Sequence, residues 1–256
     1  MSGAEENLKL WLSEVEGRMN RHFVQGVRHG IPIALGYLSV SFAFGMQAVG
    51  AGLSWLQAVL ISATNLTSAG QLAALPLITG GASLGEMALT QLTINLRYAL
   101  MSLSLGRKLD ESMGTVQRLI FSFANTDEIF AVSSSQPGKV GKHYLYGLMW
   151  TPILGWTLGT LLGAVAGTVL PAFVRSALGI AIYGMFLAII LPPARKEKPV
   201  RTVTLTAVGL SLCFRYLPGL NRISSGFAII LCAVLAAGLG AALFPTAESG
   251  ERREGA

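Results

Sequence analysis

The sequence Leu66-Thr-Ser-Ala-Gly-Gln-Leu-Ala-Ala-Leu-Pro76, followed by Ile94-Asn-Leu-Arg-Tyr98, places polar groups and helix breakers among long apolar stretches. Between His29 and Glu86 no residue carries a formal charge. The first charged residue after Glu86 is Arg97. A charge at the centre of a membrane helix costs about 2.5 to 3.5 kcal/mol on insertion scales, so an ionisable residue there indicates a functional site. The rest of the chain is interpreted as the scaffold of that site.

The composition places the chain among membrane proteins. Of its 256 residues, 12% are charged and 52% are hydrophobic, whereas soluble proteins are about 25% charged. Charge-free runs cover residues 30–85, 144–174, 176–194 and 223–247, and a spanning helix needs about 20 apolar residues. We therefore predict an all-α, polytopic membrane protein with about seven spans, or eight if residues 116–135 also cross.

The net charge of +6 does not indicate nucleic-acid binding. Basic residues form short clusters between apolar runs, as expected for cytoplasmic loops. Cys213 and Cys232 lie in separate apolar segments without metal-ligand spacing, and no HExxH or GxSxG motif occurs. We predict no metal, no cofactor, no catalytic residues and no enzymatic activity.

Three regions are expected along the chain. Residues 1–29 form an amphipathic helix, cytoplasmic or on the membrane surface, because apolar residues recur at helical spacing from Leu8 to Phe23. Residues 30–245 form one transmembrane domain, and residues 246–256 form a cytoplasmic tail. Glycines 155, 159, 163 and 167 recur every four residues, a pattern that lets a neighbouring helix approach closely.

The run from Leu53 to Ile78 predicts a helix broken near residues 64–76. Non-helical backbone at membrane depth persists only where protein or a water-filled cavity satisfies its polar groups, and many transporters build substrate sites in this way. The residues that interrupt the run are Asn65, Thr67, Ser68, Gly70, Gln71 and Pro76.

A faint internal repeat relates residues of about 30–110 to residues of about 144–225. Pro32 and Pro152 correspond, as do Arg97 and Arg215, at similar offsets. The repeats are inverted if the segment around Asp127 stays on one side of the membrane and parallel if it crosses. Lysine and arginine counts leave the side of the N-terminus open, and both schemes place residues 195–201 and the C-terminus in the cytoplasm.

Several motifs follow one another along the chain, namely Phe44-Gly45, the stretch that ends in Gln71, Asn95-Leu-Arg97-Tyr98, Thr126-Asp127-Glu128 followed by Phe130, and Trp150 with Gly155 and Gly159. In the order and spacing of these motifs the chain resembles, over roughly residues 24–245, the AzlC-type family, the large subunit of bacterial branched-chain amino-acid exporters. One departure is Ser68, where family members usually have a glycine three residues before the glutamine.

The resemblance implies a secondary transporter in the bacterial inner membrane. It implies export of valine, leucine, isoleucine or methionine, driven by an ion gradient or the membrane potential. It also implies a small membrane subunit of the AzlD type as partner. A channel or uniporter for a small polar solute is the alternative function, since a broken helix serves either. A purely structural subunit is disfavoured because a scaffold has little use for Arg97 at mid-depth.

An aliphatic amino acid is a zwitterion, so its carrier needs donors for the carboxylate and acceptors for the ammonium group. Arg97 could bind the carboxylate in a bidentate manner, helped by backbone N–H groups of a half-helix that begins near Ser68. Asp127 or Glu128 could receive the ammonium group or carry a coupling proton. The other expected substrate-binding residues are Asn65, Ser68, Gly70, Gln71, Asn95 and Tyr98.

Simpler interpretations compete with these roles. Arg97 and Asp127 could form a structural ion pair, and the amides of Gln71 and Asn65 could bridge helices. Arg215 lies near the end of its span and is expected to extend to the membrane interface. Glu86 is expected at a solvated loop edge.

Overall fold

The computed structural model describes residues 3–111 and 113–245, except for the side chains of residues 3–16, of residue 18 and of parts of the eighth helix. Most residues in these ranges are helical, and no strand occurs there, as predicted. The predicted tail at 246–256 lies outside the described residues. The helices are α1 (Gly3–Gly50), α2 (Trp55–Thr64), α3 (Ser68–Thr79), α4 (Leu84–Gly106), α5 (Thr115–Phe123), α6 (Asp127–Ser135), α7 (Lys142–Val169), α8 (Ala172–Lys196), α9 (Lys198–Tyr216) and α10 (Ser225–Leu243), with a 3-10 turn at Leu220–Arg222.

Three described stretches are both long and apolar enough to cross a membrane: Met19–Gly50, Lys142–Val169 and Ser225–Leu243. Helices α4, α8 and α9 have 23, 25 and 19 residues, which suffices by length at 1.5 Å per residue. The N-terminal segment and the first span form one continuous helix, because α1 runs from Gly3 to Gly50 through Pro32. The apolar pattern before residue 17 lies on side chains outside the description.

The chain divides into two compact units. The first consists of Met1–Gln71 with Leu96–Arg175, and the second of Leu72–Asn95 with Ser176–Ala256. The core of the first unit contains Ile33, Tyr37, Leu66, Phe121, Ile129, Leu148 and Trp156, among other buried apolar side chains.

Helices α1 and α7 are in backbone contact along their length. A Cβ atom added to Gly163 would overlap the carbonyl of Phe42, and one added to Gly159 would overlap that of Leu38. The glycine stripe predicted on α7 therefore does admit a neighbouring helix. Glycines 26 and 45 of α1 make the reciprocal contacts with the backbone of α7, so a Cβ atom at any of these glycines would collide with the backbone of the other helix.

The contacts between α1 and α7 keep a constant register. Ala34 faces Gly155, Phe42 faces Gly163 and Met46 faces Gly167. Because residue numbers rise together on both helices, α1 and α7 run parallel. Both therefore begin at one end of the first unit and end at the other.

Helix α5 and helix α6 form a pair that starts and finishes at the same end of the first unit. Leu109 forms a β-bridge with Val140, and Lys139 Nζ donates to the carbonyl of Arg107 at 3.0 Å. The loops before α5 and after α6 are thus joined. Each helix has nine residues, about 13 Å at 1.5 Å per residue, which is less than half of a bilayer core of about 30 Å.

The predicted broken helix is observed, with its break at residues 65–67 between α2 and α3. The Gln71 amide donates to Ser62 Oγ at 3.1 Å. In a straight helix these residues would be about 13 Å apart, more than their side chains can bridge. The chain therefore bends sharply at the break. Pro76, which was expected to contribute, lies inside α3.

In the second unit, Glu86 does not lie at a solvated loop edge as predicted, because its side chain is only 7% exposed. Its carboxylate accepts hydrogen bonds from Ser224 Oγ at 2.5 Å and from the Gly226 N–H at 3.1 Å. These groups lie at the N-terminus of α10, where unpaired N–H groups and the helix dipole favour a negative charge. The position of Glu86 next to a loop in the sequence does not indicate that the N-terminus of α10 is its partner.

We expect Gly163→Ala to lower the melting temperature of the purified protein by several degrees, because over-packing a close contact costs about 1–3 kcal/mol. Gly238→Ala is the matched control, since an added Cβ there meets nothing within 4 Å and alanine favours a helix by about 0.5–1 kcal/mol. Thermal unfolding in detergent measures both. Equal melting temperatures for the two variants would contradict the close contact of α1 with α7.

Cysteine labelling tests the direction of α5 and α6. In a variant without Cys213 and Cys232, we expect Glu111→Cys and Pro137→Cys to react with a membrane-impermeant maleimide from the same side of the membrane. Ala51→Cys, at the far end of α1, should react from the opposite side. Labelling of Glu111→Cys and Pro137→Cys from different sides would show that α5 and α6 cross the membrane.

Candidate functional site

Gln71 is the centre of a buried polar cluster next to the first break. The side chain is 0% exposed, its Nε2 donates to Ser62 Oγ, and its Oε1 accepts from Trp156 Nε1 at 3.1 Å. Ser62 Oγ also contacts Thr160 Oγ1 at 2.6 Å. The cluster fixes the residues on both sides of the break against α7, as expected for buried polar groups with satisfied partners.

Tyr37 of α1 holds the second break, at residues 124–126 between α5 and α6. Its hydroxyl lies 2.6 Å from Thr126 Oγ1 and 2.5 Å from Glu128 Oε2. Thr126 is the N-cap residue of α6. The start of α6 is therefore positioned by a side chain from the middle of α1.

The two breaks are connected through one aromatic pair. The rings of Tyr37 and Trp156 meet edge to face, with centroids 5.3 Å apart, an arrangement worth about 0.5–1.5 kcal/mol beyond the area it buries. Tyr37 binds the second break and Trp156 binds Gln71 near the first. The parallel register of α1 and α7 places these two side chains next to each other.

Arg97 pairs with Asp127 at the first residue of α6. Arg97 Nη1 lies 2.6 Å from Asp127 Oδ2, and both side chains are 46% exposed. The Arg97 guanidinium also lies 4.9 Å from the ring centroid of Tyr98 and donates to its hydroxyl at 3.2 Å. The guanidinium thus retains exposed donors beside the second break. From the sequence we expected it beside the first break, near the half-helix that begins at Ser68.

The two half-helices that begin at the breaks differ in charge. Helix α6 carries Asp127 and Glu128 in its first turn, whereas α3 carries no acidic residue there. Acidic side chains are favourable at a helix N-terminus because of the dipole. The start of α3 is capped by Thr67, whose Oγ1 accepts from the Gly70 N–H at 3.3 Å. The neighbourhood of α6 therefore suits a cation, and the start of α3 has no carboxylate of its own.

Asn125 is a further polar residue at the second break. Its Nδ2 donates to Ser102 Oγ of α4 at 2.9 Å. Its Oδ1 is buried and has no hydrogen-bond partner among the described residues. Buried acceptors without a partner are rare and call for an explanation such as a bound ligand or water.

The structure brings most of the predicted residues to one of the two breaks. Arg97, Tyr98, Asp127 and Glu128 lie at the second, and Asn65, Ser68, Gly70 and Gln71 lie at or just after the first. Asn95 belongs to the other unit, where its Nδ2 donates to Gln91 Oε1 at 3.2 Å. The geometry thus groups the predicted residues in two polar clusters.

Sequence reasoning missed several residues of these clusters, namely Tyr37, Ser62, Asn125, Trp156 and Thr160. Their hydrogen-bonding groups lie within spans or at the breaks, but single polar side chains of this kind are common in membrane helices. The most accessible signal was Asn125, an amide that directly precedes Thr126-Asp127-Glu128. No group of three or more His, Cys, Asp or Glu side chains arranged for a metal ion occurs among the described residues.

Comparison with known proteins identifies several relatives. The chain is 28% identical over 195 residues to the inner membrane protein YgaZ of Escherichia coli. The aligned region covers 73% of this chain and 79% of that protein. It is 30% identical over 208 residues to an uncharacterized membrane protein of Archaeoglobus fulgidus, covering 80% of this chain and 91% of that protein.

A more distant relative carries a functional name. The branched-chain amino acid transport protein AzlC of Bacillus subtilis is 24% identical over 232 residues, covering 87% of this chain and 89% of that protein. No solved structure matches the chain significantly. The family model described as AzlC protein matches residues 32–170, which include α7 and both breaks. The chain therefore belongs to the AzlC family.

Proposed function

We propose that this membrane protein transports the branched-chain amino acids valine, leucine and isoleucine, or the unbranched methionine of similar size, and that it exports them as the large subunit of a two-component system. The name of the Bacillus relative supports the substrate class. Two interrupted helices joined by buried polar side chains support a carrier, because transporters form substrate sites at such interruptions. The proposed partner is a small membrane subunit of the AzlD type.

The Arg97–Asp127 ion pair is the observation that carries this proposal. An amino acid has the same two charges as this pair, so its carboxylate can replace Asp127 on the guanidinium in a bidentate contact. Asp127 is then free to receive the ammonium group together with Glu128. Asn125 Oδ1, which has no hydrogen-bond partner in the described part of the chain, supplies one more acceptor at the same break.

Tyr37 and the Gln71 cluster are assigned positioning roles in this proposal. Tyr37 orients Glu128 and the N-terminus of α6, so the acceptors are held in place before substrate arrives. Gln71 and Trp156 fix the first break, whose half-helix α3 has no acidic residue in its first turn. The dipole of α3 would therefore favour a substrate carboxylate at this end in a second conformation of the transport cycle.

The basic end of the first unit is assigned to the cytoplasm. The loops around α5 and α6 carry Arg107, Lys108, Lys139 and Lys142 there, next to the start of α7, and basic residues accumulate in cytoplasmic loops. Helix α1 runs away from this basic end. Helix α4 runs toward the basic end, from Arg97 beside the second break. The two helices then cross in opposite directions, and the pairs α2–α3 and α5–α6 each return to the side from which they entered.

This topology has six crossing helices, α1, α4 and α7 to α10, with two re-entrant pairs. The triplets α1–α3 and α4–α6 then have inverted orientations, and the C-terminus is cytoplasmic. Of the lysines and arginines from Arg18 to Arg222, only Arg175, Arg215 and Arg222 fall on the far side, apart from Arg97 within the membrane. This distribution fits the preference of basic residues for the cytoplasm more closely than seven or eight crossing helices do.

Proteoliposomes test the transport activity. Protein reconstituted with and without its small partner subunit should exchange external labelled valine for trapped valine, and leucine, isoleucine and methionine should compete. Counterflow of this kind requires a carrier with alternating access. Flux without counterflow or saturation would instead indicate a channel, and counterflow that does not respond to an ion gradient or the membrane potential would indicate a uniporter. Absence of competition by aliphatic amino acids would overturn the substrate class.

We expect Arg97→Gln to reduce the apparent affinity for valine by about tenfold to a hundredfold, because a charge-assisted hydrogen bond contributes about 1.5–3 kcal/mol. Arg215→Gln is the matched control, since Arg215 lies near the end of α9. The double variant Arg97→Asp with Asp127→Arg separates the two interpretations of the pair. This double variant keeps opposite charges in contact, but it exchanges the positions of the positive and the negative group that a substrate would meet. Transport at the wild-type level in the double variant would therefore show that the pair is structural.

We expect Tyr37→Phe to slow valine exchange several-fold while the protein remains folded. Phenylalanine keeps the ring contact with Trp156 but loses the hydrogen bonds to Thr126 and Glu128. Tyr183→Phe, at an exposed tyrosine of α8, is the control. Exchange rates in proteoliposomes and melting temperatures are the measurements, and a normal rate in Tyr37→Phe would remove the hydroxyl from the mechanism.

A further inference from the structure

A basic cleft lies at the end of the first unit where α7 begins. It is a cavity of about 440 Å³ between the N-terminal part of α1 and the loop before α7. Its basic side chains are His22, Lys139, Lys142 and His143, and Asp110 is the acidic group on its wall. With the histidines neutral, the cleft still carries an excess of positive charge.

The start of α7 adds hydrogen-bond donors to this cleft. Gly141 is the N-cap residue and provides no side-chain cap, so the first N–H groups of α7 have no partner from that residue. The helix dipole also favours an anion there. Lysine side chains and helix N–H groups together are the chemistry that binds phosphate.

A second cavity of about 550 Å³ continues from the cleft along α1 and shares Gln25 with it. Arg21 and Arg28 line this cavity. The same helix presents exposed apolar side chains at seven- and four-residue spacing, Val24 within this cavity and Ile31 and Leu35 beyond it. The surface thus changes from basic to apolar where the charge-free spans begin, at Gly30 and Tyr144.

We infer that this cleft binds the headgroup phosphate of an anionic phospholipid, with the acyl chains lying along the exposed apolar side chains of α1. A soluble phosphate compound would use the basic side chains but would have no use for the apolar continuation. The cleft lies where the charge-free stretches of α1 and α7 begin, at Gly30 and Tyr144, which is where a membrane helix would enter the hydrocarbon. Basic pockets between membrane helices are suited to lipid headgroups. The inference does not depend on the transported substrate.

Native mass spectrometry tests the inference. The protein is released from nanodiscs that contain equal parts of phosphatidylglycerol and phosphatidylcholine, and the lipids that remain bound are counted. We expect the wild type to retain phosphatidylglycerol selectively. The double variant Lys139→Gln with Lys142→Gln should lose at least about tenfold in retention, because each lysine near an anionic membrane surface contributes about a fivefold factor.

Matched variants make the result specific. Lys196→Gln with Lys198→Gln removes the same charge from exposed positions of the other unit and should retain phosphatidylglycerol as the wild type does. Lys139→Arg with Lys142→Arg should also retain it, which excludes misfolding as the cause. Equal retention in all variants, an equal loss in the Lys196 and Lys198 control, or displacement of the lipid by millimolar glycerol phosphate would each overturn the inference.

Discussion

The first unit depends on the backbone contact between α1 and α7. Glycines on both helices allow carbonyl groups and Cα atoms to meet, and close-packed protein interiors leave no room for even one added methyl group at such a seam. Because the contact runs over many turns in a constant register, it fixes the position of each α1 side chain along the helix axis relative to the side chains of α7. Tyr37 and Trp156 meet for this reason, and each then holds one of the two interrupted helices. The site is thus positioned by a packing constraint that itself carries no polar chemistry.

The sequence predicted the features that have local causes. Long charge-free runs predicted an all-α membrane protein, and the amide, hydroxyl and glycine groups from Asn65 to Gln71 predicted an interruption that is observed at residues 65–67. The four-residue glycine spacing on α7 predicted a closely packed neighbour. Each of these conclusions follows from the free energy of placing a polar group in hydrocarbon or from the close helix packing that a small residue allows, and neither depends on the rest of the fold.

Features that depend on distant partners were less accessible. Arg97 was clearly exceptional in the sequence, but its location beside the second break results from the way α4 meets the start of α6, and spacing along the chain does not specify that. Glu86 was misjudged for the same reason, since its burial comes from the N-terminus of α10, far along the sequence. Tyr37 carried no signal, because a single tyrosine within a span is equally compatible with simple packing.

Under the proposed transport function, the charges around the second break explain how the site binds a zwitterion. Asp127, Glu128 and Arg97 formally carry one net negative charge, and the dipole of α6 compensates for part of it. Arg97 and Asp127 pair with each other at 2.6 Å. Because both side chains are about half exposed, separating the two charges costs far less than separating a fully buried pair. A ligand that supplies both charges would therefore replace the pair at small cost, whereas a simple anion or cation would leave one member of the pair without a partner. In this proposal, the internal ion pair is what makes the site selective for zwitterions.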